Sequence, residues 1–159
     1  MNAQFDIPFS RRERDPLFLE YLKGYLDKEL PLITNLANMA ALIKTFYPEL
    51  NWAGFYLSDG KKLTLGPFQG LPACTSIAFG TGVCGQAAKA RQTLLVDDTA
   101  QFPGHITCDH LSQSELVVPI VVKNRLVGVL DLDSPVKNHF EKRDQDLFEQ
   151  AVTLFIDIL

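Results

Sequence analysis

Positive charge is in short supply: 15 lysines and arginines face 19 aspartates and glutamates, a net charge of -4 over 159 residues. No basic run breaks that balance, so nothing electrostatic points to nucleic acid. Long apolar runs are missing as well. None approaches the ~20 residues that a membrane helix needs, and the opening Met1-Asn-Ala-Gln-Phe-Asp-Ile-Pro-Phe-Ser-Arg-Arg12 lacks the apolar core of a secretory signal. Cysteine is scarce and odd in number, three in all, which argues against a disulfide framework. The expected compartment is cytoplasmic, with thiols reduced at rest. What remains is the make-up of a globular chain, 47% apolar and 21% charged, of a length for one domain with a real core.

Residues 1–14 read as an N-terminal arm, 16–47 as helices, 51–133 as sheet with active-site loops, and 143–159 as a C-terminal helix. Asp15-Pro16 is a helix start, with Phe18, Leu22, Tyr25, Leu26 and Leu30 following at helical spacing. Pro31 divides this from a second helix whose stripe is Leu32, Leu36, Met39, Ala40, Ile43 and Phe46, the pattern of core packing. Two strand patterns then flank Ser58-Asp59-Gly60-Lys61, a hairpin signal. A third strand is expected over 74–79, a short helix over 86–91, a brief strand over 94–96, and two more strands over 116–122 and 126–132. The closing helix carries Leu147, Phe148, Ala151, Val152, Phe155 and Ile158 on one stripe. Tight hairpins with helices at both ends imply an α+β fold. Its sheet is antiparallel, of about six strands, with the N- and C-terminal helices on one face and pocket-forming loops on the other.

The chemistry concentrates in residues 102–115, a loop without periodicity that holds Cys108, His105 and His110 and leads straight into an apolar strand. A polar Gly-His-Ile-Thr-Cys-Asp-His setting suits a reacting thiol better than a packed one. For Cys74 and Cys84, quiet packing competes with reactivity. Gly80-x-Gly82-x-x-Gly85 has the outline of a dinucleotide fingerprint but lacks the parallel βαβ setting. Its glycines better suit a tight turn holding Cys84 near a helix start, where a thiol pKa can fall. A zinc site of Cys74, Cys84, Cys108 and a histidine is disfavoured by spacings of ten and twenty-four residues with no close pair. A cysteine hydrolase using Cys108 with His105 or His110 lacks an oxyanion motif.

The carboxylates say more. Strand alternation puts Val127, Val129, Asp131 and Asp133 on one face, and Leu126, Gly128, Leu130 and Leu132 on the core face. Two acids on an apolar strand face are costly unless paired, hydrated or used; capping the turn at Ser134-Pro135 is the plain alternative. If Lys123-Asn124-Arg125 form a three-residue turn, Val122 pairs with Leu126 and Glu115 falls opposite Asp133. A two-residue turn without a bulge would send Glu115 to the other face. Three acids together cannot all ionise in a partly dry pocket, so at least one holds a proton that a departing oxygen can take.

Seven segments recur in a known order: Asn51-Trp-Ala-Gly-Phe-Tyr56, Gly66-Pro-Phe-Gln-Gly70, Ala73-Cys74, Gly82-Val-Cys-Gly85, Gly104-His-Ile-Thr-Cys-Asp109, Ser114-Glu-Leu-Val-Val-Pro119 and Gly128-Val-Leu-Asp-Leu-Asp-Ser134. Together they resemble the free methionine-(R)-sulfoxide reductases, enzymes of the GAF fold, from the second helix to the last.

The resemblance implies that Cys108 attacks the sulfur of free methionine-R-sulfoxide. It implies that Glu115, Asp131 and Asp133 bind and protonate the sulfoxide oxygen, and that Trp52 and Tyr56 line the substrate pocket under a loop that closes as a lid. A sulfenic acid on Cys108 is then resolved to a disulfide, with Cys74 as the principal partner and Cys84 as an alternative or later one. Thioredoxin or a similar dithiol reductant restores the thiols, and no metal or organic cofactor is required. Thr107 stands where the family usually has alanine, and Leu71-Pro72 stiffens the approach to Cys74. GAF domains often pair through their terminal helices, so a homodimer is one expected state. The competing reading is a GAF-type sensor of a small molecule or of redox state, without catalysis.

Overall fold

The computed structural model describes residue 7 and residues 10–104 and 110–159. Helix α1 spans Arg11–Tyr25, so it begins a turn before the Asp15-Pro16 start and carries Pro16 inside. Pro16 is the sixth residue of α1, past the unpaired donors of the first turn, since Arg14 already donates to the Ser10 carbonyl; its missing N–H therefore forfeits one helical bond. Tertiary contacts hold the added turn, which corrects the end of the expected arm. Arg11 donates to Asp144 at 2.7 Å, and Arg14 donates to Glu49 at 2.9 Å with its guanidinium 4.6 Å from the Tyr47 ring centre. Helix α2, Leu32–Phe46, follows Pro31 as expected. Buried Asn35 in α2 clamps the connection, exchanging bonds of 2.8 and 3.0 Å with the Asp27 backbone.

The sheet starts with β1, Trp52–Ser58, and β2, Lys62–Gln69. Their turn closes on the Asp59 carboxylate, which accepts from the Lys61 and Lys62 amides at 2.8 and 2.9 Å. Next come β3, Ser76–Ala78; α3, Gly82–Ala90; β4, Leu94–Val96; and a 3-10 turn, Thr99–Gln101. Strands β5, Ser114–Val122, and β6, Arg125–Ser134, precede α4, Lys142–Ile156. Strand β3 is shorter than the 74–79 pattern suggests, and α3 starts at Gly82 instead of 86, taking Cys84 into its first turn. Among the described residues the six strands form one antiparallel sheet in the order β3-β2-β1-β6-β5-β4. No described helix is long and apolar enough to cross a membrane.

The sheet separates two apolar layers. On one side α1, α2 and α4 bring Phe18, Leu22, Met39, Ile43, Phe148 and Phe155 against Phe55, Leu116, Leu130 and Leu132. Each such side chain, fully buried, stabilises the fold by about 1.5–3 kcal/mol. Tyr25 and Leu30, on the expected α1 stripe, instead stay about two-fifths exposed, at 40% and 41%. On the other side α3 brings Val83, Cys84, Ala87 and Ala88 against Trp52, Tyr56, Val117 and Val129.

The β5–β6 hairpin reaches the expected pairing by another route. Its turn has two residues, Lys123 and Asn124, at φ 47° and 63°, so Val122 pairs with Arg125 rather than Leu126. A bulge between Ile120 and Val121 then restores the count, because Val121 pairs with Leu126 and Ile120 with Gly128. The bulge also reverses two side chains at the hairpin end: Leu126 joins the α3 layer and Val127 packs on the helical one. Past it, Glu115 lies opposite Asp133 and Val117 opposite Asp131.

Candidate functional site

Register assembles the site. On β6, Asp131 and Asp133 lie across from Gly54 and Trp52 of β1, and Glu115 of β5 lies across from Asp133 on the other flank. Alternation sends all three carboxylates to the face of Trp52 and Tyr56, away from the three large helices. Burial leaves Glu115 and Asp131 6% exposed and Asp133 9% exposed.

Helix α3 covers the cluster, and its first turn delivers a thiol. The Cys84 S–H donates to Glu115 Oε1 at 3.8 Å. Such a close approach needs Gly85, where a Cβ would sit 2.4 Å from the Ala78 carbonyl. A helix start lowers thiol pKa values in the open, but here burial, and then the charges of Asp131 and Glu115, push Cys84 well up. It stays a protonated donor.

Glu115 is pushed well above the usual carboxylate range by burial and then by Asp133. Asp131 is raised by burial and then by Glu115. The Tyr56 phenol is also raised, by burial first and Asp131 second, so it keeps its O–H. Asp131 Oδ1 is buried without a hydrogen-bond partner among the described residues. Together these groups form a dry pocket wall that offers protons to an oxygen-bearing ligand.

Aromatic rings continue that wall. Trp52 stacks on Phe68 at 5.3 Å between centroids and on Tyr56 at 5.9 Å, and its indole N–H donates to the Leu71 carbonyl at 3.1 Å. Gly54 permits the stack, since a Cβ there would lie 2.3 Å from Phe68 Cβ. A register shift in the β1–β2 pairing takes up Gly66 and Pro67, residues suited to a bulge.

Cys74 is disulfide-bonded and Cys84 is a free thiol, so the Cys74-containing zinc set is not formed. Cys108, His105 and Thr107 lie outside the described residues; His110 is exposed. The loop's two described ends are anchored by groups that were given no anchoring role from sequence. Gln86 donates to the Pro103 carbonyl at 3.2 Å and the Gly82 amide to Gly104 at 3.2 Å. Thr99 donates to the Ser112 carbonyl at 3.0 Å, and Asn51 to the Ser112 hydroxyl at 3.0 Å. Their only sequence signal is a polar side chain beside a loop.

A six-stranded antiparallel sheet with three helices on one face and α3 on the other has the layout of a GAF domain, and residues 31–156 match the GAF domain. The chain is similar to Protein YtsP of Bacillus subtilis (strain 168), 50% identical over 143 residues and 87% of each chain. It is also similar to the free methionine-R-sulfoxide reductase of Escherichia coli (strain K12), 44% identical over 82% of this chain and 79% of that one. Among solved structures, the free methionine-R-sulfoxide reductase of Neisseria meningitidis in complex with its substrate superposes with a TM-score of 0.87 at 36% identity, covering 99% of this chain and 95% of that one. The chain belongs to the GAF domain family and, within it, to the free methionine-R-sulfoxide reductase family.

Proposed function

We propose that the protein reduces free L-methionine-(R)-sulfoxide to methionine, with Cys108 as the attacking thiol. The observation that carries this reading is the buried meeting of Glu115, Asp131 and Asp133 beside the Trp52–Tyr56 stack. In the reaction, the Cys108 thiolate bonds to the sulfoxide sulfur while the acids hold the oxygen and protonate it. The S–O bond breaks and the protonated oxygen leaves as water, giving a Cys108–methionine sulfonium. Water then adds to the Cys108 sulfur, and the S–S bond breaks with its electron pair going to the methionine sulfur. Methionine leaves while Cys108, oxidised by two electrons, becomes a sulfenic acid as a proton passes to solvent. The Cys74 thiol attacks this sulfenic acid, expelling water and forming a disulfide. The disulfide state of Cys74 supports that assignment, and the protonated, carboxylate-bound Cys84 suits a resolving role poorly. A thioredoxin-type dithiol in the cytoplasm returns both thiols by exchange. The rings of Trp52 and Tyr56 enclose the methyl-sulfur end, and the protein works as a homodimer paired through its terminal helices.

The test is thioredoxin-coupled NADPH consumption with separate epimers. Wild type consumes the R epimer and leaves the S epimer, and Cys108→Ser consumes neither. Undiminished turnover by Cys108→Ser, or equal use of both epimers, overturns the reading.

A further inference from the structure

We propose that Cys84, Glu115 and Asp131 form a binding site for one divalent transition cation of the zinc class. One sulfur and one oxygen from each carboxylate lie within 4.8 Å of one another, from three elements: α3, β5 and β6. In a tetrahedral zinc site with bonds of about 2.0–2.3 Å, ligand atoms are roughly 3.5 Å apart. The Cys84–Glu115 separation of 3.8 Å is already near that value. Asp131 Oδ1, on a side chain with 6% exposure, has no hydrogen-bond partner among the described residues, leaving one buried lone-pair set uncommitted. A mixed thiolate–carboxylate set suits zinc or cobalt better than magnesium or calcium, which take oxygen alone.

Binding forms one metal–sulfur and two metal–oxygen bonds, and the thiol proton and the carboxyl proton pass to solvent. A water completes the tetrahedral set. The site shares two carboxylates with the proposed reductase pocket. On that reading, and only there, the cation and the sulfoxide oxygen exclude each other.

Cobalt(II) tests the site without reference to turnover. The full-length oxidised protein is first shown to have one free thiol per chain in denaturant, so that Cys84 is its only thiolate donor. Added cobalt is expected to give a near-ultraviolet thiolate-to-cobalt absorption band saturating at one equivalent and abolished by EDTA. Zinc should bleach it, and Cys84→Ser should lack it. Absence of the band in wild type at millimolar cobalt overturns the proposal, and so does an undiminished band in Cys84→Ser. Glu115→Gln supplies the second variant: at least a tenfold weaker cobalt affinity is expected, and unchanged affinity removes Glu115 from the site. Failure of the epimer assay leaves this result standing, so the two readings fail separately.

Discussion

A carboxylic acid buried opposite a second carboxyl cannot shed its proton as a solvated glutamate does. Glu115 is in that position, with burial and Asp133 both raising its pKa. The folded protein therefore binds the proton more tightly than the unfolded chain. Its stabilising effect is complete below the unfolded pKa and is lost as pH rises toward the folded one. We predict that Glu115→Gln melts with wild type near about pH 4, the unfolded carboxylate range, and a few degrees above it at alkaline pH. Its turnover should nevertheless fall about 10²–10⁴-fold, the span for losing a positioned acid. Thermal melts and kinetics across pH check both halves, and a pH-independent melting difference would contradict the proton assignment.

Glu115 and Asp133 were paired correctly from sequence, but through a turn that does not exist. A two-residue turn and a bulge together give the same register as the three-residue turn expected from Lys123-Asn124-Arg125. Polarity patterning sees which side chains share a face and cannot see how the count is kept. The position of Cys84 against Glu115 was not legible, because the two are 31 residues apart and meet only when α3 packs on the sheet. The helix-start argument pointed toward a lowered thiol pKa; burial, and then the charges of Asp131 and Glu115, reverse it.

At the scale of elements, the helix ends and strand irregularities hold the pocket wall in place. Helix α4 starts with a capping box: the Glu141 amide donates to Asp144 Oδ2 at 2.8 Å, while Asp144 Oδ1 accepts from Arg11 of α1 at 2.7 Å. This link helps α1 begin before Pro16, at Ser10, where Ser10-x-x-Glu13 has the outline of a helix start although the Ser10 side chain makes no cap bond. Asp144→Ala should cost about 1–2 kcal/mol, the upper range for a lost cap, and leave KM for sulfoxide unchanged. Urea midpoints read the first and kinetics the second; an unshifted midpoint would show that the capping box and ion pair contribute nothing. On β1, Gly54→Ala would drive a methyl into Phe68. We expect a loss of about 1–3 kcal/mol, as for other overpacked sites, with KM raised because the Trp52 stack shifts. Unchanged stability and KM would separate that stack from the pocket.

Across the whole molecule, the sheet divides stability from chemistry. Three helices and most of the large apolar side chains cover one face, and that division was readable from helical stripes and strand alternation. The other face carries acids, a thiol and stacked rings under α3, arranged by long-range pairing. A face with buried carboxylates is held against their desolvation cost by the packed face behind it. On the proposed function, those acids serve sulfur chemistry at Cys108, with Cys74 as its partner. Single turnover of the reduced protein with free methionine-R-sulfoxide and no reductant tests this most directly. One methionine per chain, loss of two thiols, and a Cys74–Cys108 disulfide in the non-reducing peptide map are expected; Cys74→Ser should yield one methionine and a trappable sulfenic acid on Cys108. Methionine formed with Cys108 still a thiol, or no methionine at all, would contradict it.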